Sequence, residues 1–437
     1  THGLLRKITS TRTRSLQKDV LVRQREGSKI KERHSLAHLP DISINLLVRK
    51  IGHNPPEKGT LVEYRKLGRT DLQVSAVSLG TEYLIDQSDA KVTTVIRTAL
   101  DRGVNYCDLF VAQSRFRDQM GTAFAGRRDQ AILAAHLGAA DINGQYERTR
   151  DPQLSEQFFL DFLERYRTDH ADLLFLHNSD TQEDLDQMLA PGGLLEMARR
   201  FQQEGKTRFI GFSGHNATTS RQIVESGAID VLMFPVNLTN HSMPGRADLF
   251  TACNEQQVGL VAMKPYAGGN LLSDKTAILV DTFKMGRASL DGAPMLMEKA
   301  ASISPPQCMA YVLDQPSVTT VVPGCADMKQ LDEALAWLQA SDAEKDISAL
   351  LPAFERFGTG ECVHCNHCLP CPSEIDIGQT LRLMQQAQKE MTPALREEYS
   401  AMPADAADCI ECGDCVERCP FGVDVTAQMA QTVEFFA

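Results

Sequence analysis

The chain has 437 residues, 43% of them hydrophobic, and a net charge of −12, which is enough apolar surface for two or three globular domains. No run of 18 apolar residues occurs, so a membrane span is not expected. The charge is uneven: residues 1–58 hold 13 Lys/Arg against 5 Asp/Glu, a surplus of +8 that leaves −20 for the remainder. The basic stretch lacks sustained hydrophobic periodicity and reads as a poorly ordered extension over residues 1–61 rather than a nucleic-acid-binding element. Pro55, Pro56 and Gly59 mark its end.

From residue 62 a strand-like and a helical pattern alternate about eight times. Strands are expected at 74–79, 104–110, 131–138, 171–178, 208–214, 230–237, 259–266 and 318–324. Helical periodicity falls between them, as at 154–166, 194–205 and 328–338. Strands alternating with helices imply a parallel sheet, and eight units suit a closed (β/α)₈ TIM barrel over 62–345, an α/β fold. No G-x-G-x-x-G follows the first strand, which disfavours an open dinucleotide-binding sheet. A long segment, 273–306, breaks the spacing after the seventh strand and is expected near the barrel mouth.

Twelve cysteines complete the picture, and eight of them lie in two tight runs. The first is Cys362-Val-His-Cys365-Asn-His-Cys368-Leu-Pro-Cys371; the second is Cys409-Ile-Glu-Cys412-Gly-Asp-Cys415-Val-Glu-Arg-Cys419-Pro420. The second is the C-x₂-C-x₂-C-x₃-C-P run of bacterial ferredoxins, and the first is one residue shorter. Three thiolates at this spacing wrap three corners of one cubane, while the fourth ligates the other cluster. Cys362, Cys365, Cys368 and Cys419 are therefore expected to hold one [4Fe–4S] cluster. Cys409, Cys412, Cys415 and Cys371 should hold the second. Residues 346–437 then form a small α-helical ferredoxin-like domain, and thiolate-bound iron implies a reducing, cytoplasmic compartment. From Asp342 onward 17 acids face 6 bases, which suggests a basic redox partner protein.

Several short stretches occur together in order: Tyr64-Arg-Lys-Leu-Gly-Arg-Thr, Ser78-Leu-Gly-Thr81, Asp108, Phe175-Leu-His177, Ile210-Gly-Phe-Ser213, Met263-Lys-Pro-Tyr-Ala-Gly-Gly269, Val322-Pro-Gly324 and Gln330-Leu-Asp-Glu-Ala. In these the chain resembles the aldo/keto reductases, and from residue 62 onward the branch that carries an appended dicluster ferredoxin domain. The resemblance implies hydride transfer from NAD(P)H to a small carbonyl substrate at the C-terminal face of the barrel. It also implies an Asp, Tyr, Lys, His tetrad in which Tyr gives the proton.

Only half of that tetrad stands here. Asp108 and His177 match, whereas Gln113 replaces the tyrosine and His136 the lysine. Among the nicotinamide contacts Ser213 is kept, but Gly214 replaces an asparagine and Met233 a glutamine; Lys264 and Gly324 belong to the same implied set. Three readings follow. His136 and His177 take over acid–base work beside Asp108, with Tyr83 and Tyr266 as further donors. Alternatively Asp108, His136, His177 and His215 gather a metal ion. In the third, the barrel has lost catalysis and serves as an electron-transfer or scaffold subunit.

Overall fold

The computed structural model describes residues 62–272, 303–354, 362, 364, 366, 368–419 and 421–436. The basic extension and most of the segment expected near the mouth lie outside them. Chain entry is a small antiparallel hairpin, β1 (Tyr64–Lys66) with β2 (Gln73–Ser75). The first barrel strand follows as β3 (Leu79–Gly80). The stretch expected as one strand at 74–79 is thus broken in two. Thr320 Oγ1 donates to Ser75 O at 2.7 Å and bonds the Ser78 hydroxyl, fixing the turn between the pieces.

Seven further parallel strands follow: β4 (Tyr106–Leu109), β5 (Ile132–Leu137), β8 (Ala171–Leu176), β9 (Thr207–Ser213), β10 (Val231–Pro235), β11 (Gly259–Met263) and β12 (Val318–Val322). They pair in that order, and bridges Val77–Val321 and Gly80–Gly324 close the ring. Between β5 and β8 stands a second antiparallel hairpin, β6 (Ala139–Ile142) and β7 (Gln145–Arg148).

The period of two along each strand sorts the side chains. Tyr106, Ile132, Ala134, Leu173, Phe175, Val231, Met233, Val261 and Val322 fill the barrel interior, and Leu67, Leu72 and Val74 of the entry hairpin pack with them. Cys107, Leu109, Leu133, Ala135, Leu174 and Leu176 face outward, into the layer shared with the helices. Continuing the inward set to the C-terminal strand ends brings Asp108, His136, His177 and Ser213 to one mouth.

The helices are set by local chemistry. Asp151 caps α3 (Pro152–Tyr166) by accepting from Gln153 N at 2.8 Å, with proline in the first turn where no donor is missed. Ser304 and Gln307 form a capping box on α8 (Pro305–Leu313). Leu350 and Phe354 are still buried in the barrel's outer core, so the barrel holds the chain past residue 345. The C-terminal domain has its own core, in which Ile377, Leu381 and Met384 of α11 (Ile377–Lys389) meet Val425 and Met429 of α14 (Val425–Phe436). No helix among the described residues is long and apolar enough to cross a membrane.

Candidate active site

A pocket opens at the C-terminal mouth of the barrel. Asp108, Tyr146, His177, Asn178, His215 and Lys264 contribute to its wall. Its floor holds an unbroken hydrogen-bond chain. Tyr146 Oη lies 2.6 Å from His177 Nε2, His177 Nδ1 lies 2.8 Å from His136 Nδ1, and His136 Nε2 lies 2.8 Å from Asp108 Oδ1. With Asp108 ionised and both imidazoles neutral, one arrangement of protons satisfies every contact. His136 Nε2–H donates to the carboxylate, His177 Nδ1–H donates to His136 Nδ1, and Tyr146 O–H donates to His177 Nε2. Burial, with His136, Arg150 and Arg148 nearby, holds the His177 imidazole well below its ordinary value, which keeps it neutral. Every ring nitrogen of the two imidazoles is engaged, so the groups run in line. They do not converge on a common point as metal ligands would.

Tyr146 is the residue missed from sequence. It comes from the β6–β7 hairpin, whose two-residue loop Asn143-Gly144 has φ of 56° and 82°. Asn-Gly is the pair that such a turn, with both central residues left-handed, requires. That pair, flanked by 139–142 and 145–148, was the available signal. Arg150 holds the hairpin's base: its guanidinium donates to Asn178 O at 2.6 Å and grips Asp184 through two bonds of 2.6 and 2.7 Å.

Gln113, by contrast, precedes α2 (Ser114–Phe124) at its N-cap and is not part of the pocket wall. Tyr83 lies against Gly324, where an added Cβ would meet its ring at 2.4 Å. Tyr266 and Asn178 also line the pocket, and the Tyr266 hydroxyl and Asn178 Oδ1 are buried without a hydrogen-bond partner. Asn178 and Lys264 both sit at strand ends in left-handed backbone, φ 47° and 57°, a strained geometry that collects at functional sites.

Of the sequence-expected nicotinamide set, Ser213, Lys264 and Gly324 line the pocket and Gly214 does not. Ser213 Oγ accepts Asn178 N–H at 3.0 Å, and Met233 presents a thioether where an amide would grip a carboxamide. Lys264 Nζ lies 3.3 Å from His215 Nε2, whose Nδ1–H donates to Asp180 at 3.1 Å.

The C-terminal domain abuts this mouth. The Phe421 ring meets that of His215 edge-on at 5.5 Å between centroids. Phe421 also lines a cavity with Cys362, Cys368 and Cys419. A second cavity is lined by Cys368, Cys371, Cys409, Cys412 and Cys415. Cys365 lies outside the described residues. Cys368 thus lines both cavities, and the other described cysteines divide between them along the expected groupings. Thiols so crowded oppose each other's ionisation: burial together with Cys412 and Cys409 pushes the Cys415 thiol up to about 11. The barrel reaches the second grouping through the hairpin, where Gln145 Oε1 accepts Cys371 N–H at 3.1 Å.

Comparison with known proteins agrees. Residues 76–350 match the aldo/keto reductase family, and residues 361–424 match a 4Fe-4S dicluster domain. Over 302 residues the chain is 27% identical to an uncharacterized oxidoreductase of Bacillus subtilis (strain 168), YqkF, covering 65% of this chain and 94% of that protein. It is 24% identical over 303 residues to L-galactose dehydrogenase of Arabidopsis thaliana, covering 63% and 88%. The fold is similar to that of aldo-keto reductase AKR11C1 from Bacillus halodurans (holo form), with TM-score 0.53, 21% identity, and 67% of this chain and 95% of that one covered. This chain belongs to the aldo/keto reductase family, as an oxidoreductase-type barrel carrying a C-terminal 4Fe-4S dicluster domain.

Proposed function

We propose that this protein is an iron–sulfur oxidoreductase acting on a small carbonyl-bearing substrate in the barrel pocket, with Tyr146 as the proton donor. The observation that carries the reading is the chain from Tyr146 through His177 and His136 to Asp108. In the resting arrangement the phenol proton points at His177. One added proton, placed on His136 against the Asp108 carboxylate, reverses every bond above it. His136 then donates to His177 Nδ1, His177 Nε2–H donates to the phenol oxygen of Tyr146, and the Tyr146 O–H is freed to donate to the substrate oxygen. Delivery of that proton to the carbonyl oxygen returns the chain to its resting state, so one proton enters and one leaves it; the two-electron reduction of the carbonyl to an alcohol takes its second proton, at carbon, from water. Lys264 supplies a fixed cation where negative charge grows on the substrate oxygen.

The two thiol groupings, Cys362, Cys365, Cys368 with Cys419, and Cys409, Cys412, Cys415 with Cys371, would hold the clusters, which supply one-electron chemistry. The contact of Phe421 with His215 supports the cluster domain, in exchange with a redox partner, as the electron source for the barrel site. The nicotinamide set fits less well, with Met233 and Gly214 in place of two amides, and no hydride step is derived from it.

The test is an anaerobic preparation containing about eight iron and eight sulfide per chain, as two cubanes require. Reduced protein should be reoxidised by some member of a panel of aldehydes and ketones, observed as recovery of cluster absorbance. Rapid cluster bleaching by NADPH or NADH would move the electron source to the nucleotide. Reoxidation by no carbonyl compound would favour a barrel that serves only as an electron-transfer subunit.

A further inference from the structure

One segment of the C-terminal domain exposes apolar side chains among acidic ones. Ile410 is 66% exposed, the most exposed of the large hydrophobic side chains among the described residues, and it stands between two expected cluster ligands, Cys409 and Cys412. Cys412 is itself exposed, and Val416 adds a second apolar group to the same loop. The sequence around them is strongly acidic. Residues 403–436 contain seven acids and a single base. Asp408, Glu411 and Glu417 are exposed on the same segment, the first ending a short 3-10 turn and the last in the helical turn Asp414–Glu417. The lone base, Arg418, is half-buried and engaged: it donates to Pro370 O at 2.7 Å and pairs with Asp414 at 3.2 Å.

An apolar centre, an acidic rim and an exposed thiol are the parts of a transient electron-transfer contact. The rim steers and orients a partner of opposite charge, and the apolar centre excludes water at closest approach. Resting on the reading that the two thiol groupings hold clusters, we infer that this loop docks a one-electron carrier protein with a basic face. The carrier exchanges electrons with the cluster held by Cys371, Cys409, Cys412 and Cys415. The other grouping meets the barrel mouth through Phe421 and His215, while the docked one touches the hairpin through Gln145, so both have a path to the barrel site. Each encounter moves one electron and no proton: the reduced cluster loses an electron and the carrier's oxidised centre gains it.

Cytochrome c, a basic haem protein, serves as the probe with the anaerobic full-length protein. Binding by titration calorimetry and oxidation of the reduced clusters by ferric cytochrome c in stopped flow are both measured. The second-order rate constant is expected to fall about tenfold or more between low and physiological salt, as for a steered encounter. Substituting Glu411→Lys and Glu417→Lys together should weaken binding by a comparable factor at low salt, leaving iron content and bleaching by dithionite unchanged. Ile410→Asp should slow oxidation at all salt concentrations. A rate insensitive to salt and to the charge reversal overturns the inference, as does equal reactivity with an acidic carrier such as flavodoxin. If deleting residues 1–58 restores full affinity to a weakly binding parent, the occupant is the chain's own basic arm and the inference falls. Tyr146→Phe should leave the cytochrome c rate untouched. Failure of the substrate reading and failure of the docking reading are thus observed separately.

Discussion

Removing the single oxygen of Tyr146 separates the proton chain from the rest of the site. In Tyr146→Phe the ring still packs at the hairpin, but His177 Nε2 loses its partner at 2.6 Å. Leaving that buried nitrogen unpaired costs about 1–3 kcal/mol of stability. Loss of a positioned acid costs roughly 10²–10⁴ in turnover, about 3–5 kcal/mol of barrier. The second effect exceeds the first, so folded protein with full cluster content should be nearly inactive. The assay is anaerobic turnover of aldehydes and ketones with dithionite-reduced viologen as donor, run alongside thermal unfolding and iron analysis. The parent should lose activity as pH rises, because the donating state of the chain holds one extra proton, and the residual activity of the variant should lose that dependence. His177→Ala should give a similar loss. Turnover of Tyr146→Phe within about threefold of the parent at every pH would refute the reasoning.

Two further outcomes follow from the barrel itself. In Gly211→Ala a Cβ would stand 2.5 Å from the Phe175 ring in the barrel interior, and overpacking of this kind costs about 1–3 kcal/mol, to be read from the urea midpoint. His177 and His215 are both held below the ordinary imidazole range by burial, so the unfolded chain takes up protons that the folded one refuses. Stability should therefore fall as pH drops below about 6.5, by up to about 1.4 kcal/mol per pH unit for each group. Comparing urea midpoints of the parent and His177→Gln from about pH 7 to about pH 5.5 checks this, since the variant should show the smaller decline.

The barrel was legible because period-two apolar runs and helical stripes alternate at regular spacing, a pattern that tertiary packing reinforces. Strand one was the exception: residues 74–79 read as a continuous run, but hydroxyls of Ser75, Ser78 and Thr320 break it. Asp108, His136 and His177 were legible as candidates because each ends a recognisable strand. Their linear linkage was not, since one dimension shows neither which way an imidazole turns nor what its second nitrogen meets. Tyr146 was hidden for a different reason. It stands on an insertion between units, where no barrel periodicity points to it, and only the Asn143-Gly144 pair betrays the hairpin. Gln113 drew notice because it occupies a family position, yet its place at a helix start keeps it off the pocket wall.

The ring of Phe421 has one more consequence. It follows Cys419 by two residues and meets His215, a residue of the pocket wall, edge-on, so the segment that a cluster organises braces that wall. Air, by stripping iron, would then also loosen the brace on His215. Protein handled aerobically should keep a well-folded barrel and still show a widened, poorly selective mouth. For such an enzyme, exposure to oxygen would switch off substrate recognition along with electron supply, and refilling the thiols with iron and sulfide should bring back both together.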